Sequence, residues 1–216
     1  MSEGRINDDP LGPSYEGDPK DAEFERALGQ FVIAFADAEL ELRRVLIHYS
    51  GVTNPVARAL FSGVRAKGIV DFLNSIIENT AMPFDRRSDL EHVFEHLHRI
   101  IPMRDHLIHH VSDNYSFDVP GNRIVANART TRIGKAKGYI VNAKTIRQMT
   151  WDLYGIMNSL NMHWSQRTEQ FVPWSENHDG VRSPWLYKQL QPIQSWEVSP
   201  SDHQGQRVQR KPSRKK

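Results

Sequence analysis

Residues 88–110 read SDLEHVFEHLHRIIPMRDHLIHH, and this stretch decides the fold. Ser88, with Glu91 three residues on, forms a capping box that opens a helix. Leu90, Val93, Phe94, Leu97, Ile100 and Ile101 then recur at helical steps and make one apolar stripe. Pro102 is expected to kink this helix, because its ring clashes with the preceding turn and it has no N–H to donate. The segment continues through Arg104 to about His110.

The same period appears on both sides. A first helix is expected after Asp18-Pro19, an N-cap with proline at the first helical position. Its apolar positions are Phe24, Leu28, Phe31, Phe35, Leu42, Leu46 and Tyr49, and Gly51 is its stop. A second opens at Asn54-Pro55 and carries Leu60, Val64, Phe72, Leu73, Ile76 and Ile77; Gly63 and Gly68 weaken its first half, so a bend or break is expected there. The fourth runs from about Asn142 to Trp164, with Ile146, Met149, Leu153, Ile156, Met157, Leu160 and Trp164 on one face.

Between the third and fourth helices the period drops from 3.6 to 2. Tyr115 to Val119, Arg123 to Ala128 and Gly138 to Val141 read as short strands, with Pro120-Gly121-Asn122 as a turn. The expected fold class is all-α: an up-down four-helix bundle with a small hairpin or three-strand insertion at about 112–141. The expected domain covers 19–166, after an acidic, disordered 1–18. Residues 167–200, rich in Pro, Trp, Gln and Ser, read as an irregular strap on the body, and 201–216 as a disordered basic tail.

Composition narrows the function. Of 216 residues, 38% are apolar and 25% charged, a balance in which part of the chain is expected outside the packed domain. No run of 18 apolar residues exists, so no membrane partner is expected. Residues 1–21 are acidic and lack the apolar core of a secretory signal. There is no cysteine, which excludes disulfides, thiolate zinc sites and cysteine nucleophiles and suits a cytoplasmic protein. The net charge of +2 hides an asymmetry: residues 1–25 carry −6, and residues 207–216 carry +6. The basic end suits nucleic acid or an acidic partner, or serves only as a solubilising tail.

Six of the ten histidines lie between His92 and His110. His92 and His96, Asp105 and His109, and His106 and His110 are each four apart, so each pair shares a helix face, as metal ligands must. No HExxH is present and no second glutamate or histidine cluster completes a bundle metal site, so no metal or other cofactor is expected. His92, His96 and His98 read instead as a wet, polar helix face.

A different chemistry is carried by residues 104–109, RDHLIH: an arginine, four residues, then a histidine. Chance alone supplies about one such spacing in this composition. The chain has three, Arg43 to His48, Arg87 to His92 and Arg104 to His109. Only Arg104 is followed by a small polar acid, sits near the end of the third helix, and precedes a β-turn region and a last helix.

That combination resembles the HEPN superfamily, four-helix bundles with Arg, then Asn, Asp or His, then His, near the end of the third helix. The resemblance implies a metal-independent endoribonuclease, or a non-catalytic binding or regulatory relative. It implies a site at a homodimer interface, an RNA substrate, and service as a toxin with a cognate antitoxin or regulatory protein, or as an anti-phage component. By position, His109 would be the acid–base group, Arg104 the phosphate clamp and Asp105 the polar orienter, where Asn is commoner. His106 and His110 are auxiliary candidates. The residue chemistry agrees independently: an imidazole takes and returns protons near neutral pH, and a guanidinium neutralises a phosphate in its transition state. Arg104 and His109 are five apart, about 140° around an ideal helix, so Arg104 must reach around, the helix must end near His109, or a second subunit must supply one of them; the last two together are favoured. The strap tryptophans Trp174, Trp185 and Trp196 read as packing anchors or as a partner surface.

Overall fold

A computed structural model describes residues 19–109, 122–126, 138–165 and 184–192. It is mostly helical: α1 Pro19–Ser50, α2 Asn54–Phe61, α3 Ala66–Asn79, α4 Phe84–His109 and α5 Ala143–Trp164, with strands β1 Asn122–Ala126 and β2 Gly138–Asn142 between α4 and α5. The expected acidic N-terminus, the strand Tyr115 to Val119, Pro120, Gly121, His110, Trp174, Trp196 and the basic tail lie outside the described residues.

Helix α1 opens on Pro19 and stops at Gly51, whose φ of 66° is a conformation glycine adopts without a Cβ clash. It buries Phe24, Phe31, Phe35, Leu42 and Leu46 on one side. The second expected helix is two, α2 and α3, parted at residues 62–65 beside Gly63. Leu73 and Ile77 of α3 are buried, whereas Leu60 and Phe72 point outward, at 59% and 49% exposed, so the break rotates the stripe read from sequence.

Helix α4 begins at Phe84, one turn before the expected start at Ser88. Pro83 supplies the reason: it precedes the first turn, where its missing N–H costs nothing, and its carbonyl accepts the Arg87 N–H at 3.0 Å. Pro102 lies inside α4, which stays helical to His109. Helix α5 is capped by Asn142, whose Oδ1 accepts from the Thr145 N–H at 2.9 Å and from its hydroxyl at 3.1 Å. Asn142→Ala is expected to cost about 1 kcal/mol, read as a fall of about 2–4 °C in the thermal midpoint.

Helix α1 packs on α5 and α3, and α4 packs on the same two. Helix directions follow from pairs along their lengths. Glu23 meets Arg147 at 2.7 Å near the start of both α1 and α5, and Glu41 meets the Trp164 indole N–H at 2.7 Å near their ends. These two helices therefore run parallel. Asp89 meets His163 while His96 meets Asp152, so α4 runs antiparallel to α5.

This departs from the expected up-down order, in which first and last helices would be antiparallel. The reason lies in residues 51–83: they leave from the end of α1 and return to it, since Pro83 and Arg86 share a cavity wall with Tyr49. Helix α4 then becomes the element that runs back along α1.

Strands β1 and β2 pair antiparallel, with Ile124 opposite Ile140. Val125 and Val141 are buried against the helices. Arg123 ties the sheet to the start of α1, with its guanidinium 2.9 Å from Asp21 and 4.9 Å from the Phe24 ring centre. No described helix is long and apolar enough to cross a membrane.

Candidate functional site

The C-terminal third of α4 carries the residues singled out by sequence. Leu107 and Met103 face the core and hold this part of the helix in place. Arg104, one residue after Met103, lies at the edge of that buried face. Its guanidinium is 5.5 Å from the Phe35 ring centre on α1, and Nη1 donates to Asp105 Oδ1 at 2.9 Å. The Arg104 side chain keeps 20% of its surface exposed and Asp105 keeps 58%. His106 leans on Tyr139 of β2, with ring centres 4.9 Å apart. His109 is the last residue of α4 and is exposed, as is Ile108 beside it.

The structure thus places Arg104 and Asp105 in direct contact, and His109 at a helix end. Because α4 is unbroken here, Arg104 and His109 stand about 140° apart around its axis. The Arg104 guanidinium faces Phe35 of α1, and His109 is an exposed residue at the helix end.

Two buried polar clusters elsewhere were not foreseen. In the first, Asp89 of α4 is fully buried and accepts from Ser159 Oγ and from His163 Nε2, the latter at 3.0 Å. His163 is also fully buried, and its Nδ1 lies 2.9 Å from the Tyr49 hydroxyl. With Asp89 accepting at Nε2, the imidazole accepts at Nδ1 and Tyr49 donates to it. The Tyr49 hydroxyl meets Arg86, and both residues line an open cavity of about 240 Å³ with Ile76, Thr80, Met82 and Pro83. Burial pushes the Tyr49 phenol above its usual range, with Arg86 opposing. Burial, followed by the nearby Arg86 guanidinium, holds His48 below the usual imidazole value.

In the second cluster, His96 Nε2 lies 2.8 Å from Asp152 Oδ2, and both side chains are buried. The same carboxylate accepts the backbone N–H groups of Leu186 at 2.9 Å and Tyr187 at 2.7 Å. Trp185 stacks on His96 with ring centres 4.5 Å apart and planes 5° apart, and also stacks on His92. This corrects the expected wet face: His98 is exposed, but His96 is buried and His92 half-buried under Trp185. The physical reason is Asp152, which is 56 residues away and supplies both the hydrogen bond and the anchor for the covering segment. Trp185→Ala is expected to loosen residues 184–192 selectively, seen as faster amide exchange at Leu186 and Tyr187 with the helical signal unchanged.

Among the described residues, no three His, Asp or Glu side chains converge on a metal-sized point. Comparison of the chain with protein-family models, with curated proteins and with solved structures gives no match.

Proposed function

We propose that this protein is a metal-independent endoribonuclease of HEPN type, built on a variant helical bundle in which α4 is the leg that runs back along α1. Arg104 and His109 are the catalytic pair and Asp105 is the orienter. His109 takes the proton of the RNA 2′-hydroxyl, whose oxygen attacks the adjacent phosphorus. Arg104 neutralises the phosphorane, an imidazolium returns a proton to the departing 5′-oxygen, and a 2′,3′-cyclic phosphate is left. The pair is completed between two copies, since one helix turns its own Arg104 and His109 apart. A role as a toxin or anti-phage component, with a cognate antitoxin or regulatory protein, follows from the same resemblance.

The observation that supports this reading is the Arg104–Asp105 contact at 2.9 Å beside an exposed His109. An aspartate next to a phosphate site repels its substrate unless a cation balances it, and here the cation is the proposed clamp itself. The test is cleavage of single-stranded RNA in EDTA by wild type, His109→Ala and Arg104→Ala. Activity in wild type alone is expected. Equal activity in all three removes the enzyme reading, and loss with EDTA points to a metal instead.

The same contact favours a second reading, a non-catalytic binding or regulatory protein, because the guanidinium already has a carboxylate and an aromatic ring as partners. RNA retention without cleavage in the same assay selects it.

A further inference from the structure

A cavity of about 240 Å³ opens at the corner where α1 and α3 end and α4 begins. Ile76 comes from α3, Met82 and Pro83 from the turn before α4, Tyr49 from α1 and Arg86 from α4. It lies at the opposite end of α4 from His109, with about 35 Å of helix between Arg86 and that residue. Its rim is accessible, since Ala81 and Pro83 are exposed. A space of about 150 Å³ holds one benzene ring, so this one holds a ring or a branched alkyl chain together with a small head group.

The walls specify the chemistry of a ligand. Ile76, Met82 and Pro83 offer hydrocarbon to an apolar body. The Thr80 hydroxyl donates to the Ile76 carbonyl at 2.8 Å, which leaves polar recognition to Arg86 and Tyr49. Tyr49 has one hydroxyl proton, and it goes to His163 Nδ1 at 2.9 Å. The phenol therefore presents an acceptor, and Arg86 donates to it. A guanidinium carries five N–H donors in a planar fork, the geometry that takes a carboxylate through both oxygens. The charge around it selects a monoanion. Asp85 and Asp89 both act on the Tyr49 phenol. Asp85 is exposed and screened by water, while Asp89 is buried and engaged with Ser159 and His163. One carboxylate is matched by Arg86, whereas the second charge of a phosphate dianion would meet those aspartates unbalanced.

The polar wall is also fixed in advance. A buried carboxylate–imidazole pair adds little net stability over an apolar pair of the same volume. Asp89 and His163 instead hold the Tyr49 hydroxyl in one place, and the guanidinium rests on that hydroxyl. Less freedom is then lost when a ligand binds.

We infer that this cavity is a binding site for a small organic carboxylate, with Arg86 on the carboxylate and Ile76, Met82 and Pro83 around a body of one ring or a branched alkyl chain. The site uses neither Arg104 nor His109 and stands apart from the ribonuclease reading.

The experiment uses the full chain, labelled at its methionine methyl groups for NMR, with benzoate as the probe. Met82 lines the cavity, while Met103 and Met149 are buried in the core and serve as internal controls. Benzoate is expected to shift the Met82 signal and to saturate with a dissociation constant on the order of 1 mM, leaving Met103 and Met149 in place. Benzamide and benzylammonium, which lack the negative charge, are expected to bind at least about 10-fold more weakly, and phenyl phosphate more weakly than benzoate. Arg86→Ala is expected to weaken benzoate by roughly 10-fold or more. Because Arg86 also meets Tyr49, Ala81→Phe is the second variant. It adds a ring at an exposed rim position, and is expected to block benzoate while melting within about 2 °C of wild type. A Met82 signal unmoved at about 10 mM benzoate, benzamide binding as tightly as benzoate, phenyl phosphate binding more tightly, or full affinity in either variant overturns the inference. None of these readouts involves RNA, so the carboxylate site and the ribonuclease reading fail separately.

Discussion

His109→Ala is expected to lower the rate of RNA cleavage by roughly 10²- to 10⁴-fold, the usual contribution of a positioned acid–base group. Arg104→Ala is expected to cost roughly 10²- to 10³-fold, because it removes the charge that meets the phosphorane. The two losses differ in kind. His109 is exposed at the end of α4, so its removal should leave stability within about 0.5 kcal/mol of wild type. Arg104 also covers the Phe35 ring, so its alanine variant loses packing as well as charge. Arg104→Lys separates these: it keeps a stem and a charge but not the planar fork, and should stay well below wild type in cleavage while melting close to it. Asp105→Asn should lower KM for RNA with little change in kcat, since it removes the carboxylate now 2.9 Å from the clamp. Initial rates with thermal melts of each variant check all four expectations. An active His109→Ala ends the proposal.

Asp89→Ala is expected to cost about 3 kcal/mol, or a fall of about 6–12 °C in the thermal midpoint. The carboxylate is fully buried and holds Ser159 and His163 of α5, and through His163 it reaches Tyr49 of α1. Removing it leaves two buried donors without an acceptor and an imidazole without its orienting partner. Tyr49→Phe removes the hydroxyl that meets His163 and Arg86 and is expected to cost about 1 kcal/mol. Asp89→Asn should fall between them, because one amide oxygen can still accept. Urea denaturation of the three variants gives the ranking. An Asp89→Ala protein within about 0.5 kcal/mol of wild type would show that packing alone joins α1, α4 and α5.

Local signals in the chain were legible where local chemistry decides. Pro19 and Gly51 bound α1, the Asn142 side chain caps α5, and Gly63 marks the break between α2 and α3. Apolar spacing identified the buried rows of α1, α4 and α5. What could not be read was set by groups far apart in sequence. The directions of α1 and α5 depend on how residues 51–83 double back, and nothing in a 3.6-residue period reports that. Ser88 and Glu91 form a good capping box on paper, yet Pro83 opens the helix a turn earlier. His96 looks solvated beside His92 and His98 until Asp152 and Trp185 arrive from other parts of the chain. A sharper signal was present: Asp89 and His96 are seven apart, next to Leu90 and Leu97, and so sit on the core side of α4. A charged residue at core spacing calls for a buried partner. In the candidate site, the spacing of Arg104 and His109 was legible, but the orientation of Arg104 toward Phe35 was not.

The parallel pairing of α1 with α5 has a consequence for biogenesis. Its bridges join residues separated by 123 and 124 positions, so the main surface covering α1 is α5, the last of the described helices to be made. At translation speeds of about 5–20 residues per second, the finished α1 waits on the order of ten seconds for α5 to leave the ribosome. During that interval Phe24, Phe31, Phe35 and Leu42 lack the helix that later shields them. The nascent chain is therefore a natural client for a holding chaperone until α5 has emerged.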